Sequence, residues 1–213
     1  HRGFQTVTYM LNGKMQHKDS SGNQGIIEDG GLQWMNAGKG IIHEEMPMQI
    51  EGKMRGFQLW VNLPAVEKMS EPGYQDIPTA NIPEVQSDNG SLVRVLAGQY
   101  KGQEGAVTTQ SVKPQFLDLH LVQNESLSIT TQTTHNGFLY VYEGEIQVAS
   151  QSLKKGELGV LDFSDELLIS TNAAAKAIFV SGQPINEPVV QYGPFVMNSQ
   201  DEINQALRDF QQG

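Results

Sequence analysis

The feature that most constrains this chain is an internal repeat. Tyr140-Val141-Tyr142-Glu143-Gly144-Glu145-Ile146-Gln147 lines up with Thr8-Tyr9-Met10-Leu11-Asn12-Gly13-Lys14-Met15, and Gly156 followed by Glu157 to Leu161 echoes Gly31 followed by Leu32 to Met35. Length alone allows either one large all-β domain or two small ones in 213 residues. A repeat of this span predicts two copies of one β-barrel.

The segments between agree. Thr6 to Leu11 is rich in β-formers, Asn12-Gly13 predicts a tight hairpin turn, and Lys14 to Lys18 is then the return strand. Phe57 to Leu63 reads as a further strand with Trp60 in the core. From Pro64 to Asn89 the prolines Pro64, Pro72, Pro78 and Pro83 predict an ordered crossing without regular elements. Ser199 and Glu202 form a capping box ahead of Ile203, Ala206, Leu207 and Phe210, which predicts one C-terminal helix packed on a barrel. The expected division is a first barrel and linker over residues 1–84, and a second barrel with the helix over 85–213. Because His1 runs almost at once into a strand, upstream sequence is expected before it.

Charge narrows the function. Lys plus Arg is 14 against Asp plus Glu 24, a net −10 without a basic cluster, which argues against direct nucleic-acid binding. The absence of cysteine excludes disulfides, thiolate nucleophiles and cysteine-based zinc sites, and fits a cytoplasmic protein. No apolar run reaches the roughly 20 residues of a membrane helix.

His43 and Glu45 are two apart in a strand-like run, so both leave the same face, while Glu44 leaves the other. The Gly38-Lys39-Gly40 turn before them would set that strand at a barrel mouth. With His1 on a neighbouring strand, His1, His43 and Glu45 would make a two-histidine, one-carboxylate set suited to non-haem iron(II). The same residues also fit a surface histidine beside solvated acids. His17 reads as a pocket-lining residue, and Trp34, Met35, Met46 and Phe4 as either pocket wall or plain core.

Four blocks carry a resemblance: His1-Arg2-Gly3-Phe4-Gln5-Thr6-Val7-Thr8-Tyr9, the run Gly31 to Pro47, Gln58-Leu59-Trp60-Val61-Asn62-Leu63, and Gly193-Pro194-Phe195-Val196-Met197-Asn198. Together they closely resemble the pirin family. The resemblance implies two stacked cupin (double-stranded β-helix) barrels with one metal, usually iron, in the first. The family's second, third and carboxylate ligands fall on His1, His43 and Glu45; its first histidine would precede residue 1, and Gln5 stands where the family usually has Glu. Matching the repeats places Gln132, Leu168 and Ser170 at the three ligand positions of the second barrel, which is therefore expected to be metal-free, with His135 structural.

The resemblance further implies an Fe2+-dependent (or other divalent metal) dioxygenase of the quercetin-cleaving type. Glu45 would act on the hydroxyl proton of a small aromatic substrate such as a flavonol. The alternative is a non-enzymatic, redox- or metal-sensing regulator acting through a protein partner.

Overall fold

The computed structural model describes residues 1–48, 51–108, 111–162 and 165–212. The chain falls into two compact units, one of His1–Ala80 with Ile185–Gly213 and the other of Asn81–Pro184. The sequence draws its single boundary near residue 84; by packing, the stretch after residue 185 joins the first unit.

In the first unit the strands are β1 (Phe4–Asn12), β2 (Met15–Asp19), β3 (Gln24–Ile27), β4 (Leu32–Asn36), β5 (His43–Pro47), β6 (Arg55–Asn62) and β7 (Gly73–Ile77). They form two antiparallel sheets, ordered β6-β1-β4-β7 and β3-β2-β5. The second unit holds β8 (Glu84–Gln86), β9 (Leu92–Ala97), β10 (Gln99–Tyr100), β11 (Gln103–Glu104), β12 (Gln115–Leu121), β13 (Ser126–Thr130) and β14 (Asn136–Glu143). It continues with β15 (Glu145–Val148), β16 (Gln151–Lys154), β17 (Leu158–Leu161), β18 (Glu166–Ser170) and β19 (Ala175–Gly182), in sheets ordered β17-β14-β19-β12-β9-β8 and β13-β18-β15-β16. The hairpin of β20 (Val190–Tyr192) and β21 (Phe195–Met197) precedes the helix α1 (Gln200–Gln212).

The repeat is therefore architectural. The order β6-β1-β4 recurs as β19-β14-β17, and β3-β2-β5 recurs as β16-β15-β18. Even a bulge is shared, between Met10 and Asn12 against β6 and between Val141 and Glu143 against β19. Asn12-Gly13 is not a hairpin turn: β1 pairs with β4 and β6, whereas β2 pairs with β3 and β5. A type I′ hairpin needs positive φ at two residues, and here only Gly13 (φ 93°) has it, as does Gly144 (φ 73°) at the matching point. Each glycine turns the chain from one sheet into the other.

Two further expectations change. The proline-bearing segment after Pro64 is not free of regular structure, since β7 pairs with β4 from Leu32 opposite Ile77 to Asn36 opposite Gly73. Each proline in that segment falls outside the strands, where a missing N–H removes no ladder bond. Trp60 is 44% exposed rather than in the core.

The second unit's core comes from alternate residues of both sheets, including Leu117, Leu119, Leu139, Val141, Ile146, Ile169 and Phe179. In the first unit Phe4, Trp34 and Met35 are buried, whereas Met46 lies exposed. The helix begins at the predicted cap, with the Glu202 N–H donating to Ser199 Oγ at 3.3 Å, while the Glu202 carboxylate accepts from the N–H of Asn198, one residue before the cap, at 3.0 Å. Ile203 and Ala206 of α1 pack on Phe195 and Met197. Among the described residues no helix is long and apolar enough to cross a membrane.

Candidate functional site

The turn at Gly38 to Gly40 delivers the chain to Ile41, whose N–H and C=O pair with His1 at 3.0 and 2.9 Å. Two residues later His43 opens β5, and its Nε2 lies 2.8 Å from His1 Nδ1. One of these nitrogens donates and the other accepts, according to tautomer. His43 Nδ1 is buried with no hydrogen-bond partner. Burial holds the His43 imidazolium below the usual histidine range, with the chain's amino group and His17 acting the same way and Glu45 and Asp19 against it. Burial thus favours the neutral imidazole of His43.

Across the ladder β2 faces β5 with His17 opposite Glu45 and Asp19 opposite His43, so the four side chains share one face. Asp19 is engaged in its own loop, accepting from the N–H groups of Ser21 and Asn23 at 2.8 Å each. His17 is 2% exposed and stacks on Tyr74 with ring centroids 5.4 Å apart. Its Nε2 lies 3.2 Å from Asp76 Oδ2, but neither ring nitrogen is aligned for a hydrogen bond. The Tyr74 phenol is pushed well up by burial and then by the carboxylates of Asp19, Asp76 and Glu45.

Glu45 points from one sheet to the other. Thr8 Oγ1 donates to Glu45 Oε1 at 3.3 Å, and Gln58 Nε2 lies 3.1 and 2.8 Å from the two carboxylate oxygens. Thr8 and Gln58 are direct cross-strand partners in β1 and β6. On that same face Trp60 stands opposite Thr6, and its ring lies 5.5 Å from His1 and 4.3 Å from Phe4. Trp60 is thus a mouth residue beside the histidines, which accounts for its exposure.

Of the three predicted ligands the structure brings His1 and His43 into contact, while the Glu45 carboxylate is hydrogen-bonded to Thr8 and Gln58. Among the described residues no three His, Asp or Glu side chains are gathered as a ready metal cage. The donor set nevertheless fits a metal. Metal–nitrogen bonds of about 2.0–2.1 Å at right angles would put two ligand nitrogens about 3 Å apart, close to the observed 2.8 Å. A cavity of about 1060 Å³ lies elsewhere in the first unit, around Lys14, Ile27, Asp29, Leu32, Lys53 and Ile77.

The repeat supplies an internal comparison. Thr8 opposite Gln58 corresponds to Leu139 opposite Phe179, and Glu45 opposite His17 corresponds to Ile169 opposite Val148. By this register Thr8 matches Leu139 and Gly13 matches Gly144, one residue off the sequence alignment of Thr8 with Tyr140, and His43 and Glu45 match Leu167 and Ile169, one residue before the positions read from the glycine spacing. Leu139, Phe179 and Ile169 are each 0% exposed. The polar trio of the first unit is an apolar core in the second.

Thr8 and Gln58 escaped the sequence reading. Thr8 lies in a run that reads simply as β-forming, and Gln58 lies in a block noticed for its tryptophan. The available signal was alternation, since Gln58 and Trp60 leave one face of β6 just as Thr6 and Thr8 leave one face of β1.

Comparison with known proteins agrees with this architecture. Residues 1–61 match the Pirin family model, and residues 116–213 match the model described as the pirin C-terminal cupin domain. A Pseudomonas aeruginosa protein named "Putative quercetin 2,3-dioxygenase" is 46% identical over 220 residues, covering 100% of this chain and 77% of its own length. A "Pirin-like protein" of Caulobacter vibrioides is 44% identical over 214 residues, covering 100% of this chain and 78% of its own. The crystal structure of a quercetin 2,3-dioxygenase from Acinetobacter baumannii superposes with a TM-score of 0.95 at 37% identity, covering 100% of this chain and 76% of that one. With two cupin units built on one strand order, and with relatives matched along its whole length, the chain belongs to the pirin family.

Proposed function

We propose that this protein is a metal-dependent dioxygenase acting on a small phenolic substrate of the flavonol type, with His1, His43 and Glu45 as its metal ligands. The carrying observation is the 2.8 Å approach of His1 Nδ1 to His43 Nε2, with Glu45 two residues along on the same face. The names borne by the similar Pseudomonas and Acinetobacter proteins support the substrate class.

A divalent transition metal held there, iron(II) in this reading, would supply Lewis acidity that lowers the pKa of a substrate hydroxyl. The chain's own contribution is positional and protic. Burial favours the neutral form of His43, and binding a metal between the two histidines would replace the Nδ1–Nε2 hydrogen bond, with the proton it holds moving to another ring nitrogen or to solvent. Glu45, now bonded to Thr8 and Gln58, would give up the Gln58 amide to serve as a ligand, and its second oxygen would take the hydroxyl proton. Trp60 and Phe4 provide aromatic faces beside the histidines against which a planar phenolic ring stacks.

The test is oxygen uptake by iron-loaded protein with quercetin, set against Glu45→Ala. Uptake in the parent and its loss in the variant is the expected result. An iron-loaded parent that consumes no oxygen, indistinguishable from the variant, overturns the proposal.

A further inference from the structure

Lys68 follows directly after the turn of residues 65–67 and is 1% exposed. Its ammonium donates to Gly3 O at 2.7 Å, Val196 O at 2.8 Å and Asn62 Oδ1 at 2.6 Å. Burial pulls its pKa down to about 8, against the opposite pull of Glu187 and Glu202. A cation held by three neutral oxygens is a poor device for stability alone. It does, however, fix three segments to one point: the start of β1, the end of β6 and the closing strand β21.

What it fixes is the segment that carries His1. Arg2 pairs by backbone with the closing segment, its N–H donating to Pro194 O at 3.1 Å and its C=O accepting from Val196 N at 3.0 Å. Gly3 has φ 83°, and a Cβ there would lie 2.1 Å from Val196 O, so no other residue allows this approach. The Arg2 side chain reaches both ways: Nε donates to Lys39 O at 2.6 Å, and Nη1 pairs with Asp209 Oδ2 of α1 at 2.7 Å. Lys39 belongs to the turn that leads into His43, and Gly40 is open beneath the guanidinium, where an added Cβ would come within 3.5 Å.

We infer that Lys68 and the Arg2–Asp209 pair are positioning residues, bracing the His1 segment and the turn before His43 so that the two imidazoles meet. The inference rests on the reading of these histidines as ligands. The brace is built from β21 and α1, so the C-terminal segment belongs functionally to the first site.

The test compares Lys68→Met and Asp209→Asn with the parent chain in three readouts: cobalt(II) affinity, thermal melting, and exchange of the Ile41 amide, which donates to His1 O. Lys68→Met weakens cobalt binding by roughly tenfold, as loss of a supporting shell does, and Asp209→Asn by about two- to fivefold, as befits an exposed pair. Both speed exchange at Ile41 while amides of the second unit keep their protection. A Lys68→Met protein that melts lower but binds cobalt and protects Ile41 like the parent shows a purely structural lysine and overturns the inference. If that variant does not fold, Asp209→Asn decides by the same two readouts. Should the parent itself bind no cobalt, the metal-site reading fails, while Ile41 exchange still decides whether the brace exists.

Discussion

Ile169→Glu places in the second unit the residue that the first unit carries at Glu45. The structure makes this a severe change. Ile169 is 0% exposed and packs with Leu139 and Phe179, which replace the Thr8 and Gln58 that hold Glu45. Among the described residues Leu139 and Phe179 offer a glutamate there no side-chain donor, so it is expected to fold protonated. Raising its pKa from about 4.3 to at least 7 costs about 3.7 kcal/mol at pH 7, at about 1.36 kcal/mol per unit. Lost isoleucine burial adds about 1–2 kcal/mol, since the glutamate stem recovers part of the contact. The sum of about 5 kcal/mol is comparable with the whole stability of a small domain. The sign in pH follows from a raised folded-state pKa: below about pH 4.3 both states are protonated and only the packing loss remains, and the penalty then grows with pH up to the folded pKa. Urea unfolding followed by far-UV circular dichroism, taken as variant minus parent at pH 4 and pH 7, should show a gap about 3–4 kcal/mol larger at pH 7. A variant within about 1 kcal/mol of the parent at both pH values would refute the interior placement of residue 169 and the register match to Glu45.

Three other outcomes are expected. Gly25→Ala sets a Cβ 2.3 Å from His17 Nε2, so the imidazole must move; melting should report a loss of about 1–3 kcal/mol, typical of overpacking, and an unchanged melt would mean His17 is free to swing. Metal affinity should be level around pH 7 and fall only once acid protonates His43, because its pKa lies below the usual value and protons compete for the ligand nitrogen only below that pKa; a decline centred above the ordinary histidine range would contradict this order. Gln58→Leu removes the amide that competes for the Glu45 carboxylate, so cobalt affinity by titration should rise by about two- to fivefold, the scale of an exposed charge-assisted bond, whereas a fall would show that Gln58 supports the bound form instead.

The duplicated architecture was legible because glycine at a sheet-to-sheet corner leaves a local mark that survives divergence around it. What that mark meant was not legible. A run of β-formers, Asn-Gly and another such run reads as a hairpin until pairing shows that the two strands lie in different sheets. The site was half legible. Strand alternation puts His43 and Glu45 on one face, but only the fold brings His1 to His43, and neither alternation nor spacing shows that Glu45 would be engaged by Thr8 and Gln58. Trp60 was misjudged because tryptophan is usually buried, and that rule takes no account of a barrel mouth. The place of the C-terminal helix was beyond reach, since an amphipathic stripe says that a helix packs but not on what.

The two units show how one strand order accommodates opposite interiors. In the second, Leu139, Phe179 and Ile169 stand where the first unit has Thr8, Gln58 and Glu45, and all three are buried. In the first, a carboxylate, an amide, a hydroxyl and imidazoles occupy that space, and each must be hydrogen-bonded or exposed to be tolerated. Glu45, Gln58 and Thr8 satisfy one another, but His17 and His43 retain buried ring nitrogens without partners. The first unit is also the one to which β20, β21 and α1 return, where Lys68, Arg2 and Asp209 tie its opening residues down. Reinforcement from the end of the chain thus falls on the unit that carries the carboxylate, amide and imidazoles.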